Sequence, residues 1–312
     1  MNQIVLETKD LTKTYGKLKA VDAVNMTAYE GEVFGFLGPN GAGKTTALGM
    51  ALGLVHPTDG EVWVLGERVT PNHVHALKDV GALLGAPAFV PYLSPWDNLE
   101  LLSRLSSNVN TRRIGEVLEL VGLVDAARRK VGKFSTGMKQ RLGLAMALLH
   151  RPRFVILDEP TNGLDPAGMR EIRQLLRSLA ENGTSVLLSS HLLNEVQQVC
   201  DRIAVLNKGV VVAQGRVDEL LDGQKPSVRL TVNDTSLAVR ALESLSGIEN
   251  VQASGNTLIV IGVTSQDVMN HLLQRQVIPI EITAQKSDLE ALFMDVTSED
   301  INRQITQSPN IA

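Results

Sequence analysis

The run GPNGAGKT, Gly38 to Thr45, lies directly after the apolar stretch GEVFGFLG and directly before a helix-like stretch from Lys44 to about Leu54. It fits the spacing G-x-x-x-x-G-K-[ST] in a strand–turn–helix context, and that context already asks for an α/β fold. Flexible glycines let successive backbone N–H groups wrap a β-phosphate at the helix N-terminus, where the helix dipole also favours negative charge. Lys44 then bridges β- and γ-phosphates as a point charge, and Thr45 offers its hydroxyl to Mg²⁺. Nucleotide-binding residues are therefore expected at Gly38, Asn40, Gly41, Gly43, Lys44, Thr45 and Thr46.

The rest of the pattern agrees with a sheet covered by helices. Short β-type runs, IVLETKD, AVNMTAYE, GEVFGFLG and GEVWVLG, fill most of the first 66 residues. Further on, PWDNLELLSRLS, TRRIGEVLELVG, GMKQRLGLAMALLH and PAGMREIRQLLRSLAEN carry apolar residues at helical spacing. RFVILDEP and GTSVLLSSH are compact apolar runs of the kind that parallel strands show when both faces are buried. Such alternation predicts an α/β domain.

The 312 residues suffice for two domains, at roughly 100 to 200 residues each. LLDGQKPS, around residues 220 to 227, combines turn formers with charge, so the domains are expected to span 1–223 and 224–297. In the second, VRLTV, SLAVRALESL, ENVQAS, NTLIVIG, SQDVMNHLLQRQ and VIPIEITA read as β-α-β-β-α-β, the order of a split βαβ unit, with a helix to follow in SDLEALFMDV. Residues 298–312 lack apolar periodicity and are expected to be a loose tail.

Thirty Lys and Arg against 34 Asp and Glu give a net charge of -4, so no global basic field exists to hold nucleic acid or an anionic membrane. The single cysteine, Cys200, cannot form an internal disulfide, and MNQIVLETKD has neither a basic n-region nor an apolar h-region. The cytoplasm is the expected compartment. No stretch approaches the roughly 18 to 20 apolar residues of a membrane span, so work at a membrane would need another subunit to supply the span.

RFVILDEP puts Asp158 at the carboxyl end of a buried strand, where ligands of open α/β sheets collect, and Glu159 directly after it. Asp158 can hold Mg²⁺ through water, and Glu159 can polarise an attacking water as general base. Solvated carboxylates in a strand-end turn are the plainer alternative, and the phosphate loop upstream weighs against it.

In this order the motifs resemble those of the ATPase subunit of an ATP-binding-cassette (ABC) transporter. FSTGMKQR, residues 134 to 141, resembles the family signature, with Ser135 and Gly137 at the positions that contact γ-phosphate. Thr136 replaces the middle glycine and Met138 the usual Gln, a relaxed form common in the branch resembling multidrug and bacitracin-type exporters. Read from the residues alone, Ser135 is equally a plain helix N-cap. GLDP, Gly163 to Pro166, is similar to the family's D-loop, with Asp165 as N-cap and Pro166 at the first helical position; the resemblance adds contact across a dimer interface. His191, after TSVLLSS, matches the family's switch histidine, able to reach a γ-phosphate oxygen or the attacking water. Tyr15 stands where the family stacks an aromatic on adenine; a partly exposed core tyrosine is the alternative.

The resemblance covers about residues 3 to 222. It implies an ABC-type P-loop ATPase domain with a mixed sheet core, an antiparallel β subdomain and a helical subdomain, followed here by the small α+β domain. The implied cofactors are ATP and Mg²⁺, the metal held at Thr45 and Asp158, with Glu159 and His191 catalytic. The implied partners are a second chain, identical or a similar ATPase, whose Ser135 and Gly137 close over Lys44, and an integral-membrane permease. APAFVPYLSPW, Ala86–Trp96, is unusually apolar for a loop and is expected to dock that permease, with internal packing as the alternative. Such a subunit would sit peripherally at the inner face of the cell membrane and power export of a drug, peptide antibiotic or lipid-like substrate. The rival readings are a soluble ABC protein and a weakly hydrolytic, nucleotide-gated binding module.

A further departure from the family pattern bears on coupling. Gly85 stands where the family has Gln, or Glu in the bacitracin-type branch, to join the metal site to the permease-facing loop. Glycine offers no side-chain ligand, so coupling is expected to suffer, and Gly85→Gln or Gly85→Glu is expected to raise turnover provided the backbone is not held at φ > 0.

Overall fold

The chain begins with a long antiparallel hairpin, β1 (Ile4–Tyr15) and β2 (Leu18–Tyr29), and continues through β3 (Val33–Leu37) into helix α1 (Lys44–Ala51). Strands β4 (Asp59–Val64) and β5 (Glu67–Arg68) return to the hairpin and complete an antiparallel sheet of order β2-β1-β4-β5. In this computed structural model, residues 3–105, 109–222, 226–285 and 289 are described.

A second sheet carries the site. After β6 (Val80–Leu83) come α2 (Pro95–Ser103), α3 (Thr111–Leu120) and α4 (Thr136–Leu148), then β7 (Phe154–Asp158), α5 (Pro166–Glu181) and β8 (Ser185–Ser190). The short α6 (Leu193–Gln197), β9 (Arg202–Asn207), β10 (Val210–Arg216) and α7 (Val217–Asp222) follow. The six strands lie in the order β10-β9-β3-β8-β7-β6. All neighbours are parallel except the edge pair β10 and β9, where a tight turn at Gly209 makes the hairpin.

Every residue of β3, β7 and β8 is buried, which is why these strands read as unbroken apolar runs instead of alternating ones. Phe34, Phe36, Phe154 and Ile156 project into one core that also takes in Leu48 and Met50 of α1 and Leu11 and Val24 of the hairpin. The helices start where the sequence supplies acceptors for free N–H groups. Ser94 and Asp97 form a reciprocal capping box on α2, and those hydrogen bonds to Ser94 hold the Asp97 carboxyl below its ordinary range. Asp165 accepts from the Gly168 N–H at 2.8 Å, Pro166 follows at the first helical position, and α5 then buries Ile172, Leu176 and Ala180 at four-residue spacing.

The chain divides into two compact units, residues 1–217 and 218–312, so the division falls slightly before the expected 223/224 boundary, where β10 ends and the chain leaves the sheet. In the second unit, β11 (Ser227–Thr231), α8 (Thr235–Leu242), β12 (Asn250–Ser254), β13 (Thr257–Ile261), α9 (Ser265–Gln274) and β14 (Glu281–Gln285) follow one another in the β-α-β-β-α-β order. The sheet order is β12-β13-β11-β14 and every neighbouring pair is antiparallel. Val228, Leu230, Leu258 and Val260 point to one face and meet Ala238, Leu242, Val268 and Leu272 of the two helices. Leu289 is helical and buried, whereas the remainder of the expected helix in SDLEALFMDV and the expected loose tail 298–312 lie outside the described residues. Among the described residues no helix is long and apolar enough to cross a membrane.

Candidate nucleotide site

Residues 38 to 43 turn sharply between β3 and α1. The turn is pinned to the neighbouring strand where the Gly38 N–H donates to the Ser190 carbonyl at 3.3 Å. Gly43, the N-cap of α1, has φ +108 and a side chain there would collide with the Ala20 carbonyl, so this position admits only glycine. The Lys44 side chain is 6% exposed, and its ammonium donates to the Gly38 carbonyl at 2.6 Å and the Pro39 carbonyl at 3.3 Å. Loop and helix start line a cleft of about 380 Å³, closed on other sides by Tyr15, Leu18, Ala20, Asp158 and Glu159. That size suits a small-molecule ligand, and the floor is a helix N-terminus flanked by a cation, the arrangement that attracts phosphate.

The acidic side comes from the ends of two parallel strands. Asp158 closes β7 and stands in register with Ser189 of β8. Its Oδ2 accepts from the Thr45 hydroxyl at 3.0 Å, and its Oδ1 accepts from the Ser189 hydroxyl at 2.5 Å. Glu159 follows with φ +51, in the left-handed region, which costs a side-chain-bearing residue about 1–2 kcal/mol and persists only where the surroundings impose it. Here they do. Its N–H donates to the Ser189 carbonyl at 3.2 Å and to the Ser189 hydroxyl at 3.1 Å. Its carbonyl accepts from the Gln140 side-chain amide and from the Asn162 N–H, both at 3.1 Å. The carboxylate is thereby aimed between Lys44 Nζ, at 3.5 Å from Oε1, and His191 Nδ1, at 2.7 Å from Oε2.

Five of the residues expected from the sequence, Lys44, Thr45, Asp158, Glu159 and His191, thus converge through direct contacts. Tyr15 also lines the cleft, 49% exposed, with Lys13 Nζ lying 5.1 Å from its ring centroid. Others stand apart. Ser135 caps α4 by accepting from the Met138 N–H at 3.2 Å, Gly137 packs against Leu164, Asp165 caps α5, and none of the three lines this cleft.

Gly85 requires a correction. It has φ +67, with open space where a Cβ would stand, and it takes no part in the cleft. The condition attached to restoring Gln or Glu there fails, because any side chain would be held in the left-handed region. Two residues of the site, Ser189 and Gln140, are not singled out by the sequence: Ser189 belongs to no motif, and Gln140 lies within FSTGMKQR without anything there to show that its side chain reaches Glu159. The one signal available for Ser189 was a polar pair ending the otherwise apolar run TSVLLSS.

Residues 21–162 match the ABC transporter family. The chain is 42% identical over 306 residues, 95% of its own length and 96% of the relative's, to YhcH of Bacillus subtilis (strain 168), an uncharacterized ABC transporter ATP-binding protein. It is 37% identical over 294 residues, 93% of this chain and 96% of the relative, to the bacitracin transport ATP-binding protein BcrA of Bacillus licheniformis. Among solved structures, the dimeric post-hydrolysis state of the ATP-binding cassette MJ0796 bound to ADP and Pi superimposes with a TM-score of 0.62 at 28% identity, covering 68% of this chain and 98% of that one. The fold and the nucleotide cleft define a P-loop ATPase. The chain belongs to the ABC transporter family and is an ATP-binding, ATP-hydrolysing subunit of that kind.

Proposed function

We propose that this subunit hydrolyses ATP to drive a separate membrane permease, and that the permease exports its substrate. The observation that carries the reading is the convergence of Lys44, Thr45, Asp158 and Glu159 on one cleft, with His191 held against Glu159. In that reading the backbone N–H groups of Asn40, Gly41, Gly43, Lys44, Thr45 and Thr46 cradle the phosphates, Gly38 anchors the loop through its bond to Ser190, Lys44 neutralises the β- and γ-phosphates, and Tyr15 stacks on the adenine. The donor set fits Mg²⁺. The Thr45 hydroxyl and the Asp158 carboxylate are hard oxygens side by side, and no cluster of three or more His, Cys, Asp or Glu stands among the described residues, so phosphate and water would complete the shell. Mg²⁺ bound there supplies charge neutralisation for the phosphates.

Glu159 takes the proton from a water whose oxygen attacks the γ-phosphorus. The bond from that phosphorus to the β–γ bridging oxygen breaks, and ADP leaves with the electron pair. His191 Nδ1 lies 2.7 Å from Glu159 Oε2, and the tautomer with its proton on Nδ1 would donate there and hold the carboxylate in line. Ser135 and Gly137 close the site of a second chain, as helix starts that cannot reach their own chain's cleft, and Asp165 lies at the same interface. Dimeric cassettes among the structural relatives support this arrangement. The exporter assignment is supported by the bacitracin transport relative, and the substrate class is a drug, peptide antibiotic or lipid-like molecule. The permease would dock around Ala86–Trp96, where Tyr92 is 71% exposed, and hold the subunit at the inner face of the membrane.

The test is a mixed dimer. With Ser135→Arg on one chain and Lys44→Ala on the other, one composite pocket stays whole and ATP is hydrolysed. With both changes on one chain, neither pocket is whole and hydrolysis stops. Equal activity of the two arrangements overturns the shared site.

A further inference from the structure

One hydrogen bond in the site has no part in phosphate binding and joins two functional segments. Gln140 lies just over one turn into α4, the helix that Ser135 caps and that contains Gly137. Its side chain is almost fully buried, and its amide Nε2 donates 3.1 Å to the carbonyl of Glu159. The other bonds to that residue's backbone come from the strand beside it, through Ser189, and from its own turn, through Asn162. Gln140 alone among these partners comes from α4. A buried side-chain amide that commits a donor to a backbone carbonyl is costly to remove, because the carbonyl and the space around it stay behind.

The bond matters because the Glu159 backbone is left-handed. The backbone sets the direction of the Cα–Cβ bond and limits the rotamers beyond it, so a rotation of this residue's backbone moves the root from which the carboxylate reaches Lys44 and His191. We infer that Gln140 is a positioning residue: through the Glu159 carbonyl it sets the carboxylate for proton abstraction and links that carboxylate to the position of α4. The inference rests on the reading of Glu159 as general base. It adds a consequence for the dimer, because the start of α4 belongs to one pocket and the Glu159 it steadies belongs to the other, so closure over one ATP is felt by the base acting on the second.

The experiment is a double-variant cycle on the full chain. Gln140→Met keeps the volume and removes the donor. Turnover should fall by about ten- to a hundredfold, while KM for ATP and the affinity for a fluorescent ATP analogue change less than about twofold. In a Glu159→Gln background the same change should cause no further fall, since both act through one group. If Gln140→Met does not fold, Gln140→Asn, which withdraws the amide by one methylene, goes through the same cycle. Unchanged turnover, a loss confined to KM, or multiplying losses in the double variant would each overturn the inference. Failure of Glu159→Gln by itself to slow hydrolysis would instead remove the general-base reading, so the two failures are told apart.

Discussion

Of the three sheets, the six-stranded sheet of the first unit and the four-stranded sheet of the second differ most. The residues converging on the nucleotide cleft come from the strand ends of the first, and no such convergence forms at the second among the described residues. In the first unit β3, β7 and β8 are parallel and buried on both faces, so all three point their carboxyl ends the same way. The phosphate loop, the Asp158–Glu159 pair and His191 leave from those three adjacent ends and meet. In the second unit every neighbouring pair is antiparallel, so successive strand ends alternate between opposite edges of the sheet. Its strands alternate too, Val228 and Leu230 inward with Ser227 and Arg229 on the other face, as a sheet covered on one side does. Strand direction, more than composition, decides where loops can pool their side chains.

The largest expected effect falls on the pooled loops. Glu159→Gln preserves shape and removes the base, so steady-state phosphate release should fall at least about a hundredfold with ATP binding retained, whereas Lys44→Ala should lose binding. Hydrolysis at the parental rate in Glu159→Gln would break the comparison at its first term.

Next comes the second core. Leu230 is fully buried there, and Leu230→Ala should cost about 2–5 kcal/mol in that unit. Chemical denaturation followed by a probe in each unit would resolve it, and ATP binding should be untouched, as it should also be in a chain ending near residue 217. Loss of nucleotide binding in either case would mean that the two units do not stand independently.

Gly85 tests whether an open space is enough to admit a side chain. Gly85→Gln should lower stability by about 1 kcal/mol and should fail to raise turnover, because the strain of a left-handed side chain is present in every state. A rise in turnover with unchanged melting temperature would show that the loop relaxes out of its left-handed turn.

The smallest effect concerns Cys200. Burial pushes its thiol well above the ordinary range, with nearby Asp201 adding to the rise, so little thiolate exists at neutral pH. Maleimide labelling of the native protein should be slow and should become fast on unfolding. Fast labelling of the folded chain would place the α6–β9 connection, where Cys200 lies, among the mobile parts of the first unit.

The sequence by itself determined the elements and the chemistry that depends on neighbours along the chain. The phosphate loop is legible because its glycines, Lys44 and Thr45 act within one turn, and the buried strands are legible because parallel pairing removes alternation. The β-α-β-β-α-β order of the second unit is readable for the same reason, since each element carries its own period. Only the tertiary structure decided the rest. Ser189 reaches Asp158 across a parallel register, and Gln140 of helix α4 reaches the Glu159 carbonyl beyond the end of β7. Ser135 became a helix cap away from its own chain's cleft, and Gly85 proved to sit at a backbone angle that suits a residue without a side chain. These are contacts between residues distant in sequence or values of φ, and neither is written in a local pattern, because both are set by how separately legible elements pack together.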